Sequence, residues 1–217
     1  MRGLTAGNGR VLALIAMIGV LVYVSVDVVL HLLPPHYSPI SEAESNLAVG
    51  PFGWIMNLNF LGRAVTSFAA VGALLAVARV ENCLRIPGLL VPGLALFSVA
   101  GLCSAVLAFF PTDVAAPGQS VIATSVGGTV HLVVATLGFA AALAAIVLLT
   151  LWVSRSGCLP AARRGARTFT LLAGAGVVFL ALTVTVLPSL IGLAERLCLV
   201  GILGWTYWVA RGVRCLR

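Results

Sequence analysis

The chain has 217 residues, 61% of them hydrophobic and only 9% charged, with a formal net charge of +7. That balance excludes a soluble globular domain and fits a multi-span membrane protein. Nor is the positive charge a nucleic-acid footprint, because no basic run is long or interleaved with aromatic residues.

A bilayer core takes about 20 apolar residues per helical span. Six runs reach that length, near 11–33, 56–78, 88–110, 130–153, 168–187 and 191–210. The expectation is an all-α fold, a single six-helix transmembrane domain over residues 1–217. Every one of the 13 basic residues is an arginine. Arg2 and Arg10, then Arg79 and Arg85, then Arg155, Arg163, Arg164 and Arg167, and finally Arg211, Arg214 and Arg217 form separate groups. The loops between them, near 34–55, 111–129 and 188–190, hold no basic residue. The positive-inside rule therefore places both termini in the cytoplasm, with a cell membrane as the expected location. Cys83, Cys158 and Cys215 then lie on the cytoplasmic side and Cys103 and Cys198 within spans, so no structural disulfide is expected.

The first span carries Asp27 and, one turn later on the same face, His31. At about 1.5 Å per residue, Asp27 lies roughly 9 Å below the outer end of its helix and needs a partner there. Pro34 and Pro35 end the helix. The loop that follows is long enough to be functional, and holds His36 and Glu42. In it Ser41 and Glu44 have capping-box spacing, which predicts a short interfacial helix over 42–48.

In the second span Asn59, Arg63 and Ser67 fall at i, i+4 and i+8, a polar stripe that turns inward or lets Arg63 snorkel to the headgroups. Because consecutive spans bring Asp27 and Arg63 to similar depth, an intramembrane Asp27–Arg63 pair is expected. The third span offers Gly93, Gly101 and Ala105 for close packing. Asp113 follows it in a turn or helix-end setting. His131 opens the fourth span, the fifth reads as scaffold, and Glu195 and Arg196 open the sixth.

Asp27, His31, His36, Glu42, Glu44, Arg63, Asp113, His131, Glu195 and Arg196 thus all fall in the outer loops or outer halves of spans, which favours a site open to the outer leaflet over a proton path through the bilayer. Three uses compete. A pocket could bind a lipid or other apolar small molecule, with Ser41, Glu44, Asn59, Arg63, Glu195 and Arg196 as ligand-binding candidates and the arginines facing an anionic headgroup. A membrane-embedded acid/base enzyme, of lipid hydrolase or cyclase type, could use Asp27, His31, Asp113 and His131 as catalytic groups. A non-catalytic assembly or regulatory role, or small-solute transport, is the remaining reading. No HExxH or paired-histidine spacing marks a metal site, and no glycine loop marks a cofactor, so neither is expected. Membrane lipids are the expected partners, nucleic acid is not, and the oligomeric state is left open.

The stretches YSPISEAESNLAVGPFGWIMNLNF, FPTD at 110–113, GGTVHLVVATLGF at 127–139 and GLAERLCLVGILGW at 192–205 carry a family likeness. In their order and spacing the chain resembles the bacterial membrane family catalogued as domain of unknown function 998. The resemblance implies six spans and no settled activity, with Ser38, Pro39, Ser41, Glu44, Asp113, His131 and Arg196 at the motif positions.

Overall fold

The computed structural model describes residues 6–80, 87–115 and 123–216. Arg2, Cys83, Arg85 and Arg217 lie outside them. Six long helices make up the described chain: α1 (Ala6–His31), α2 (Gly53–Val80), α3 (Pro87–Leu107), α4 (Val126–Ser156), α5 (Arg163–Thr185) and α6 (Ile191–Arg214). All six are long and apolar enough to cross a membrane. Each predicted span is found, with ends displaced by a few residues; α4, α5 and α6 extend further toward the arginine-rich end, where the side chains are polar enough to leave hydrocarbon.

The helices pack as a closed ring in chain order, with α1 touching both α2 and α6. The α1–α2, α3–α4 and α5–α6 hairpins make the broadest contacts, while α4 and α5 meet less extensively. Arg10 donates to the Leu216 carbonyl, so both termini share one end. The opposite end, which carries the loops after α1, α3 and α5, is called the distal end below.

Packing between helices rests on small residues, as expected where lipid supplies no hydrophobic drive toward association. A Cβ added at Gly176 would come within 2.5 Å of the Cys198 backbone, and one at Gly201 within 2.4 Å of the Ala173 nitrogen. The termini half of the core is sealed by Trp152 and Trp205, both fully buried. Trp205 Nε1 donates to Thr150 Oγ1 at 2.7 Å, and Thr150 shares a hydrogen bond of 2.8 Å with Thr170, which ties α6, α4 and α5 together. Outward faces carry exposed aliphatic side chains such as Val22, Val91, Leu171 and Val178, the surface that lipid covers.

Two local expectations are corrected. The short helix after α1 is a 3-10 segment over Glu44–Ala48 with no side-chain cap. Its Glu44 carboxylate is taken by the Tyr23 hydroxyl at 2.9 Å instead of closing a capping box with Ser41. Cys158 is disulfide-bonded, with its partner outside the described residues. The expectation of none rested on the outer loops holding no pair of cysteines, and Cys158 follows α4 at the termini end, outside those loops.

Candidate functional site

The loop between α1 and α2 folds back over the distal end and is held there by α6. Leu193 N donates to the Ile40 carbonyl at 3.0 Å, and Glu44 N donates to Glu195 Oε2 at 2.7 Å. Gly192 leaves the room for this, since a Cβ there would come within 2.3 Å of the Glu42 carbonyl oxygen. Arg196 is the main anchor. Its Nη1 donates to the carbonyls of Pro39 at 3.0 Å, Gly192 at 3.1 Å and Glu42 at 3.3 Å.

On its other side Arg196 Nη2 donates to His31 Nε2 at 2.6 Å and lies 3.8 Å from Asp27 Oδ1. His31 Nδ1 donates to the Asp27 carbonyl at 2.7 Å, so both ring nitrogens are occupied and the imidazole acts as a neutral bridge. The expected Asp27–Arg63 pair does not form. Arg63 Nε instead donates to Ser104 Oγ at 2.9 Å on α3, and its guanidinium lies 5.7 Å from the centroid of the Tyr23 ring. The physical reason is ring closure: α1 packs on α6 as well as α2, and Arg196 reaches Asp27 from that side. Asn59 is buried and donates to the Tyr23 carbonyl at 3.1 Å. Of the two readings of the stripe, the inward one holds, and it serves helix docking.

Tyr23 and Glu44 lie at the centre of this cluster, both buried. Burial, with Glu195 and Asp27 nearby, pushes the Glu44 carboxyl well above the usual carboxylate range, against the smaller opposing pull of Arg63 and Arg196. Sequence reading passed over Tyr23 because an aromatic residue in an apolar run has no signature of its own.

A second arrangement lies beside the first. Between the distal halves of α4, α5 and α6 is a cavity of about 320 Å³. His131, Leu132, Ala135 and Phe139 form its α4 wall, and Val177, Leu180, Ala181 and Val184 its α5 wall. Glu195 and Ile191 of α6 close the back, and Asp113, Thr112, Ala43 and Ser45 come from the loops. Its lining is mostly apolar. Leu132 and Val184, which line it, are also exposed at the surface of the bundle, so the cavity is not sealed. That α5 lines it corrects the reading of α5 as plain scaffold; aliphatic residues that line a cavity look in sequence like those that face lipid.

His131 is 3% exposed, and its Nδ1 donates to the Phe110 carbonyl at 2.7 Å. Among the described residues its Nε2 has no hydrogen-bond partner, and in the neutral ring that atom is an acceptor. Asp113, at the cavity rim, is fully engaged. Its Oδ2 accepts from Thr124 N at 2.7 Å and Ser125 N at 2.8 Å, and its Oδ1 accepts from Ser125 Oγ at 2.8 Å. Ser125 in turn caps α4 by accepting from Gly128 N at 2.9 Å. These bonds, above all those from the two backbone amides, lower the Asp113 pKa to about 2.

Of the four catalytic candidates, Asp113 and His131 share the cavity with Glu195, while Asp27 and His31 belong to the Arg196 cluster and do not line it. Of the six ligand-binding candidates, Glu195 alone lines it; Arg63 borders a small separate crevice of about 30 Å³, and the Ser41 amide closes a turn on Ser38 Oγ at 3.3 Å. Among the described residues no group of three or more His, Cys, Asp and Glu side chains is placed to hold a metal ion. The family model for a protein of unknown function, DUF998, matches residues 17–212. No curated protein and no solved structure matches the chain.

Proposed function

The chain belongs to the DUF998 family, whose description assigns no activity, and from that premise we propose that it binds an amphiphile drawn sideways from the distal leaflet into the α4–α5 cavity. The observation that carries this reading is the combination of apolar walls with His131 and Glu195 at the polar end. At about 320 Å³ the volume sits at the lower end of the roughly 300–1,000 Å³ range of small-molecule pockets, enough for one chain of moderate length. The membrane is a bacterial inner or plasma membrane, with both termini in the cytoplasm and the cavity in the outer leaflet.

Binding is favoured over acid/base catalysis by the state of two of the four catalytic candidates, Asp113 and His31. Asp113 accepts from two backbone amides and a hydroxyl, and a carboxyl held near a pKa of about 2 is a poor proton donor. His31 has both nitrogens committed. The test is binding of a radiolabelled twelve-carbon amphiphile to the full chain in phosphatidylcholine nanodiscs. Saturable binding of one molecule per chain, lost in Ala135→Trp with melting temperature unchanged, is expected; binding that does not saturate, or that ignores the tryptophan, contradicts the reading. For orientation, Thr124→Cys should react with an impermeant maleimide in intact cells while free, exposed Cys215 does not; the reverse pattern inverts the topology.

A further inference from the structure

We infer that the cavity selects an amphiphile with a hydrogen-bond-donating, cationic end, a long-chain primary amine, over one with an anionic head. The inference rests on the binding reading above and adds the chemical class. The charged side chains lining the cavity are carboxylates, Asp113 and Glu195; among the described lining residues there is no arginine. The two arginines that the sequence offered to an anionic headgroup do not line the cavity: Arg196 holds loop carbonyls and His31, and Arg63 donates to Ser104.

What the polar end presents is acceptors. His131, 97% buried, commits the proton of Nδ1 to Phe110 and leaves Nε2. Glu195 Oε2 receives Glu44 N, and the remaining capacity of that carboxylate lies at a residue lining the cavity. Donors are scarce, for the Thr136 hydroxyl gives its proton to the Leu132 carbonyl at 2.8 Å and the Thr112 hydroxyl lies 3.4 Å from the Asp113 carbonyl. Ser45 is the one lining hydroxyl without a described acceptor. An ammonium brings three N–H donors and a compensating charge to acceptors on two lining residues. A carboxylate or phosphate head would meet like charge and find a single hydroxyl.

The test compares three ligands of equal chain length, dodecylamine, 1-dodecanol and dodecanoate, on the full chain in phosphatidylcholine nanodiscs at pH 7.4, with Ala135→Trp as the measure of simple partitioning. Dodecylamine is expected to bind about tenfold or more tighter than dodecanoate, the scale of one charge-assisted hydrogen bond. Dodecanol should fall between them. Glu195→Gln, which keeps an oxygen for Glu44 N, should bring the amine to within about threefold of the alcohol. Dodecanoate binding as well as or better than the amine overturns the selectivity and leaves the cavity reading standing. If none of the three shows saturable, tryptophan-sensitive binding, both fall. The ranking on unmodified protein needs no variant to fold.

Discussion

Arg196 and His131 stand at the same end of the bundle, each opens its helix, and each carries polar atoms into a region where water is scarce, yet they are used in opposite ways. Arg196 spends one nitrogen on three backbone carbonyls and another on His31. His131 spends one nitrogen on Phe110 and leaves the other beside a cavity. An ionisable residue in a membrane protein is a functional candidate by default. The contrast offers one way to sort structural members of that class from candidates for function: how far the protein's own groups already use the bonding capacity.

The largest effect that would sharpen this contrast comes from Arg196→Met. It leaves two loop carbonyls, the Gly192 carbonyl and the Asp27 carboxylate without their cation, and breaking a mostly buried pair from one side costs about 3–5 kcal/mol. Folded yield should collapse, and detergent-solubilised protein should melt many degrees lower. His131→Leu should do the reverse, abolishing amphiphile binding while the melting temperature falls far less than in Arg196→Met. Equal damage from both substitutions would erase the distinction.

The next effect concerns Asp27 and Arg63. Since each has its own partners, Asp27→Asn and Arg63→Gln should lower stability additively, within about 0.5 kcal/mol in a double-mutant cycle. Recovery in the double variant would restore the direct pair that the ring arrangement rules out. A smaller effect is expected at Glu44. A carboxyl with its folded-state pKa raised above the ordinary 4.5 contributes full stability below that value and loses it as pH rises toward the folded pKa. Melting temperature should therefore decline as pH rises above about 5 in the parent protein, and Glu44→Gln should flatten that decline. The smallest is Asp113→Asn, which weakens the cap on α4 and costs at most a few degrees at pH 7. Because the Asp113 pKa is lowered, its contribution is present above about 4 and fades as pH falls toward 2.

These particulars also mark how far the sequence could be read. Six spans follow from hydropathy alone, because the length of an apolar run is a direct measure of whether it can cross hydrocarbon. Pro34 and Pro35 likewise announce the end of α1, which stops at His31. The inward turn of Asn59 follows from the cost of exposing an amide to lipid. Which helix answers Asp27 did not follow, since proximity in sequence pointed to α2 while the ring brings α6 against α1. The cavity was half legible: Asp113, His131 and Glu195 are polar and stand out, whereas Val177, Leu180, Ala181 and Val184 have the composition of any lipid-facing stripe. Phe110, whose carbonyl orients His131, acts through its backbone and leaves no trace in residue type.

The central claim is that the α4–α5 cavity, and not the lipid-facing surface at large, holds the ligand. A twelve-carbon amine bearing a diazirine near its terminal carbon, photolysed in membranes containing the full chain and mapped by peptide mass spectrometry, tests it most directly. Adducts concentrated on residues 132–140 of α4 and 177–184 of α5, and suppressed by excess dodecylamine, are the predicted result. Adducts spread over exposed faces such as those of Val22, Val91 and Leu171, unaffected by competitor, would contradict the account.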